Sequence, residues 1–204
     1  MTEHGQAVVG RVLRASTIGF DCGTRSSMIN GSQSFGTFVK VPLDESGSIQ
    51  AVGLIYTVRI DDDPLARELV MASAVDNSTL YDQRENRMVP VEIGVINVGF
   101  AENGRCFYNL PPRPPMSLTE VTCMDDGEIR FFTAQTDFIR LILNARDAQP
   151  DELLAAAINL SAECQADPYA YKVLCGRAAA RLLGHDLKRL HHVLTLIAPP
   201  ETMR

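Results

Sequence analysis

The sequence predicts an α+β chain, with a small N-terminal β-barrel over residues 1–133 and a C-terminal unit of about four helices over residues 134–204. Three observations carry this expectation. The first half is rich in β-branched residues at alternating positions, the period of a half-buried strand. From about residue 136 the apolar spacing becomes helical, and Ala, Leu and Arg dominate. The junctions carry Asn-Gly turn signals and Asp-Pro helix starts. The chain of 204 residues is 46% hydrophobic and 22% charged, enough apolar material for a real core and far from a disordered composition.

Along the chain, residues 7–14 (AVVGRVLR) read as a first strand. Asn30-Gly31 predicts a hairpin turn before FGTFVKVPL at 35–43, where Phe, Val and Val alternate. IQAVGLIYTVRI at 49–60 reads as a long strand, and Gly53 inside it predicts a bend or bulge. Asp61-Asp62-Asp63-Pro64 should stop the sheet and start a short helix, since Asp caps and Pro fits the first helical position. Residues 76–87 are polar and helical or coiled. VPVEIGVINVGF at 89–100 returns to strand, and Asn103-Gly104 turns the chain into RCFYNL as its hairpin partner. After the stretch LPPRPPMSL come short strands near 119–123 and 128–133. TDFIRLILNAR then reads as helix, with Phe138, Ile139, Ile142 and Leu143 on one side. Pro150 and Asp167-Pro168 start two more, and Gly184 separates the last from HDLKRLHHVLTLI.

Composition excludes several classes. No apolar run approaches the ~18 residues of a membrane-spanning helix, and the opening residues lack the pattern of a secretory leader. Five scattered cysteines without a CxxC pair fit reduced thiols in the cytoplasm. The net charge of −6 argues against wholesale nucleic-acid binding. The charge is uneven, however. Residues 1–133 hold 17 acids and 11 bases, whereas residues 168–197 hold five bases against the single acid Asp186.

No motif carries recognisable catalytic chemistry. Gly5 and Gly10 have the outer spacing of a phosphate loop, but the Lys and Ser/Thr that would hold phosphate and magnesium are missing, and the segment reads as strand. Asp61, Asp62 and Asp63 are consecutive, so their carboxylates diverge; capping accounts for them better than a metal does. His185, His191 and His192 lack a second ligand pair at zinc spacing. There is no GxSxG and no local cysteine-nucleophile signature. No catalytic residue, cofactor or metal is therefore assigned. One suggestive surface is basic: Arg177, Arg181, Lys188 and His192 recur at spacings of 4, 7 and 4, a candidate contact face for phosphate or protein. LPPRPPMSL contains two overlapping PxxP spacings around Arg113, which an adaptor domain could read. Its place between strand-like segments suits a rigid polyproline strap across the barrel better.

The opening Val9-Gly10-Arg11-Val12, the strands FGTFVKV and AVGLIYTV, and the stretches DQRENRMVPVEIGVINVGF and YNLPPRPPMSLTEV together resemble the HAS-barrel, over roughly residues 5–133. That small β-barrel stands at the N-termini of HerA-type DNA translocases and of rotary ATP synthase subunits. The chain departs from HerA proteins in lacking a Walker motif and ending in small helices, so ATP hydrolysis is not carried over. The resemblance implies an assembly role, because the barrel of those relatives forms a docking collar.

Two readings follow. In the first, the chain is a non-enzymatic interaction module, accessory to a HerA-like ATPase, its NurA-like nuclease or another oligomeric machine in DNA processing. It would dock through Asp61, Asp62, Asp63 and Arg113, with the terminal helices as a second surface. A homo-oligomer is compatible with that role, nucleic-acid contact is a weaker candidate, and no membrane is expected. The second reading is an enzyme or small-ligand binder with its site between barrel and helices. A pocket of converging His, Asp and Arg would favour it, whereas an apolar patch would favour the first.

Overall fold

The computed structural model describes residues 7–60, 71 and 90–198. Seven strands form among them: β1 (Val8–Ala15), β2 (Gly19–Arg25), β3 (Phe38–Pro42), β4 (Ile49–Ile60), β5 (Pro90–Glu102), β6 (Arg105–Phe107) and β7 (Glu120–Cys123). The ring runs β1-β2-β5-β4-β3-β7 and back to β1, so six strands close into a barrel in which every pair is antiparallel. β6 lies outside the ring as a short partner of β5. Closure leaves no open edge within the ring, which an isolated small sheet would have to protect by other means.

Side-chain alternation splits the apolar residues into two cores. Val39, Val41, Ile55, Val91, Ile93 and Val95 point into the barrel with Val9, Val12, Phe20 and Val121. Phe38, Val52, Leu54, Ile96 and Val98 belong to a second core, shared with the helices. This is why β5 is buried continuously from Ile93 to Phe100 and reads as an unbroken apolar run, since both of its faces are covered. The expected irregularity at Gly53 is present. The β4–β5 register shifts between Val52 and Gly53, and a Cβ there would stand 2.4 Å from Val95 Cγ1. Gly10, which is in strand β1 and in no phosphate loop, has a comparable duty, because a Cβ on it would meet the Gly23 carbonyl oxygen at 2.5 Å within the β1–β2 pair.

Five helices follow among the described residues: α1 (Asp126–Phe132), α2 (Phe138–Leu143), α3 (Pro150–Glu163), α4 (Pro168–Leu183) and α5 (Leu187–Ile197). None is long and apolar enough to cross a membrane. Pro150 and Pro168 begin α3 and α4 as expected, and Asp167 caps α4 through the Ala170 N–H at 2.9 Å. The helices pack on the barrel through aromatic rings. Phe38 of β3 meets Phe132 and Phe138 edge-on, with centroids 6.4 and 6.2 Å apart. The Tyr108 hydroxyl donates to the Phe132 carbonyl at 2.7 Å, and Lys40 of β3 pairs with Glu128 of α1.

Two local expectations are corrected. Residues 128–133 are not a strand. Asp125 and Glu128 form a capping box, the Asp125 carboxylate accepting from the Glu128 N–H and the Glu128 carboxylate from the Asp125 N–H, and this starts α1. Asn30-Gly31 does not close a hairpin. Asn30 instead caps a single 3-10 turn, its side chain accepting from the Ser32 N–H while Gln33 Oε1 accepts from the Asn30 N–H. The first hairpin turns at 16–18 and returns as β2, a strand the sequence conceals. The Asn103-Gly104 turn does form, both residues having positive φ (49° and 74°), the requirement of a two-residue hairpin loop. Asp61-Asp62-Asp63, the helix expected from Pro64 and the polar stretch 76–87 lie outside the described residues apart from Met71, which is helical.

The Pro-rich stretch is seated on the barrel. Pro111 and Pro115 are buried, and Arg113 Nε donates to the Leu43 carbonyl at 3.0 Å, over the β3–β4 turn. The segment then joins β1: the Leu118 N–H donates to the Val12 carbonyl at 2.8 Å, and the Val12 N–H to the Thr119 carbonyl at 2.9 Å.

Candidate partner-docking groove

All five cysteines are free thiols. Burial pushes Cys22 up to about 12, and Cys164 and Cys175 up to about 11; Cys106 and Cys123 are also raised, again chiefly by burial. Thiols held protonated in this way are poor nucleophiles. Among the described residues no group of three or more His, Cys, Asp or Glu is placed to hold a metal ion. His192 Nε2 lies 3.3 Å from Glu152 on α3 instead.

A cleft does lie between barrel and helices. One part, about 250 Å³, is lined by Arg14, Asp21, Tyr56 and Asp147. The adjoining part, about 300 Å³, is lined by Ile18, Asn97, Leu110, Leu141 and Arg146. Arg14 and Asp21 of this lining are engaged with each other. Arg14 donates from Nε to Asp21 at 2.6 Å and from Nη2 to Glu92 at 2.5 Å, and Arg59 joins Glu92 at 2.9 Å. Burial, then the Asp21 and Asp147 carboxylates, raise the Tyr56 phenol above its ordinary value. These groups form a cross-strand ion ladder on the barrel wall, and among the described residues no histidine joins them to move a proton.

The other concavity has a different chemistry. A groove of about 500 Å³ runs between α4 and α5, with Val173, Gly176, Ala180, Leu194 and Ile197 on its walls and floor and Tyr169, Lys172 and Arg177 at its margins. Its α4 residues fall at 169, 172, 173, 176, 177 and 180, a single stripe of the helix surface. Gly176 sets how closely the two helices approach, since a Cβ on it would lie 3.2 Å from Leu194 Cδ2. Tyr169 is 70% exposed, a large aromatic side chain left in water at the mouth of the groove.

The electrostatics of this helix pair are one-sided. α4 and α5 carry Lys172, Arg177, Arg181, Lys188 and Arg189 and no Asp or Glu. Arg189 is held by Asp151 at 2.7 Å. Lys172, Arg177, Arg181 and Lys188 make no ion pair with any described residue. Of the basic residues picked out by spacing, Arg177 and Arg181 are therefore one turn apart on α4, and Lys188 and His192 one turn apart on α5. The interval of seven between the pairs runs across the break at 184–186, and His192 faces Glu152. Arg113 belongs to the strap, on the barrel end. The groove itself was hidden in the sequence. Its signal is the apolar and small-residue stripe through Val173, Gly176 and Ala180, beside two consecutive helices without an acid.

No protein-family model matches the chain, and no curated protein matches it in sequence.

Proposed function

We propose that the chain is a non-catalytic protein-interaction module of the cytoplasm, in which a closed barrel carries a helical unit that docks a partner. The observation that carries this reading is the apolar groove between α4 and α5, exposed and bordered by bases that form no ion pair with any described residue. The five protonated, free thiols support the absence of cysteine chemistry and suit a reducing compartment. The mutual pairing of Arg14, Asp21 and Glu92 weighs against an enzyme or ligand site in the barrel–helix cleft. The HAS-barrel resemblance gives the proposal its specific form, with a HerA-type ATPase or its nuclease as the machine to which the module adds.

The experiment compares capture from native lysate on the immobilised full chain with capture on Ala180→Gln, which places a helix-compatible polar side chain in the groove. The reading expects a protein recovered near equimolar ratio by the parent and lost by the variant. Recovery of nothing at that ratio, or of the same proteins by both, would overturn it.

A further inference from the structure

We propose that the occupant of the α4–α5 groove is an acidic amphipathic helix of a partner protein. This rests on the interaction-module reading and adds the chemistry of the partner. The shape argues for a helix. The α4 stripe from Tyr169 to Ala180 covers three turns, so about 17 Å of a partner helix would lie along it. The floor is small at its centre, where Gly176 and Ala180 let a third helix axis come to the usual ~8–10 Å. The groove lies between two helices whose backbone groups are bonded within themselves. It therefore has no strand edge for an extended peptide, and recognition falls to side chains at i, i+3/i+4 and i+7. Tyr169 at the margin is one of the residue types enriched among the anchors of such contacts.

Charge fixes the sign. Lys172 and Arg177 stand at the groove margin, Arg181 follows one turn on, and the acids at the helix starts, Asp167 and Asp186, are turned to the Ala170 and Arg189 N–H groups and pair with none of the three. A partner helix with Leu-type residues on one face and Asp or Glu on its flanks would pair with all three. Duplex DNA would satisfy the bases and leave the apolar floor exposed; a basic helix would do the reverse.

The probes are two labelled designed helical peptides sharing one apolar stripe, one flanked by Glu and the other by Lys, with the Glu peptide stripped of its stripe as control. Fluorescence anisotropy against the full chain is read at low and high salt. The acidic peptide is expected to bind at least roughly tenfold tighter than its basic twin, because three rim pairs each add a modest factor. The preference should shrink as salt shortens the screening length from about 10 Å to about 3 Å. Lys172→Glu/Arg177→Glu should remove or invert it; Arg177 is exposed and Lys172 half-buried, neither pairs with a described residue, and far-UV circular dichroism checks that the fold persists. Equal binding of the two striped peptides would overturn the acidic occupant while leaving a docking groove. Equal binding of the stripped control would overturn the groove as the site. If no peptide binds, gel filtration and a DNA duplex decide what replaces the proposal. A dimer dispersed by Ala180→Gln assigns the groove to a second copy, duplex binding abolished by the charge reversal assigns it to nucleic acid, and neither result refutes docking at this groove altogether.

Discussion

Phe38 is a residue of the barrel that serves the helices, and its removal tests how the two parts are joined. It is fully buried, points outward from β3, and meets Phe132 of α1 and Phe138 of α2 edge-on. Phe38→Ala deletes the ring and leaves a cavity that three separate elements would have to collapse around, a loss of about 3–5 kcal/mol. Edge-to-face pairing contributes ~0.5–1.5 kcal/mol of that per ring partner. Against a total stability of about 5–15 kcal/mol this is a large fraction. With a urea slope of ~2–3 kcal/mol/M the midpoint should fall by about 1.5 M. The chain has no Trp, so urea unfolding is followed by far-UV circular dichroism for the helices and by reagent labelling of the buried thiols Cys22 and Cys175 for the two cores. Ile55→Ala, inside the barrel, is the control: its loss should fall in the ~2–5 kcal/mol range without a differential effect on the helices. Phe38→Ala should instead separate the two cores, exposing Cys175 of the helical core to a thiol reagent at lower urea than Cys22 of the barrel core. A loss below about 1 kcal/mol for Phe38→Ala would show that the helices do not depend on the barrel face, and the two-core description would fail.

Other predictions are more local. Gly53→Ala should destabilise by about 1–3 kcal/mol, since the new Cβ would lie 2.4 Å from Val95 Cγ1 and 2.8 Å from the Ile96 carbonyl oxygen; thermal unfolding with an unchanged result would refute the close approach. Arg113→Ala should cost about 1–2 kcal/mol by freeing the Leu43 carbonyl from its charged donor, and should raise protease cleavage within 110–118. The thiols set an alkaline limit. Their folded values stand above the ordinary 9.0, at about 12 for Cys22 and about 11 for Cys164 and Cys175, so unfolded chains release these protons first. Stability is accordingly whole below pH 9 and falls as pH rises from 9 towards 11–12, and a urea midpoint that holds steady over that range would contradict the burial. Asp44 sets an acid limit of opposite sign. Ser46, Ser48 and the Ile49 N–H lower it to about 2, so its share of stability is present above its ordinary 3.8 and lost as pH falls from there towards 2. Asp44→Asn should flatten the acid arm of the urea profile over that interval.

How much of this was legible depends on where each residue finds its partner. β3, β4 and β5 were readable because Phe38, Val39, Val41, Ile93 and Val95 carry the strand pattern in their own segment. β2 was not, because GFDCGTR spends two glycines on close approach to β1 and β5 and places Asp21 on the ion ladder, so little of it looks apolar. Phe131-Phe132 looked like the end of a strand, and only the Asp125–Glu128 capping box declared a helix. Arg113 was recognised as the centre of the Pro-rich stretch, but its acceptor, Leu43, lies 70 positions away. The groove is the extreme case. Gly176 and Ala180 are silent in the sequence, and they become a floor only when Leu194 and Ile197 of α5 fold against α4.

The order in which the barrel strands meet has a kinetic consequence. β4 and β5 pair along nearly their whole length, but the ring is sealed by β1 with β7, where Arg11 bonds across 107 positions to the Leu118 carbonyl and across 109 to Glu120. Contacts so distant along the chain carry a loop-closure cost before they give anything back, and they slow the final step of folding. During synthesis the first strand must therefore wait, with an unpaired edge, until the chain beyond residue 120 has emerged. Slow decoding just after β1 would lengthen that exposure, and the newborn chain should be most dependent on chaperones in the interval before its last strand arrives.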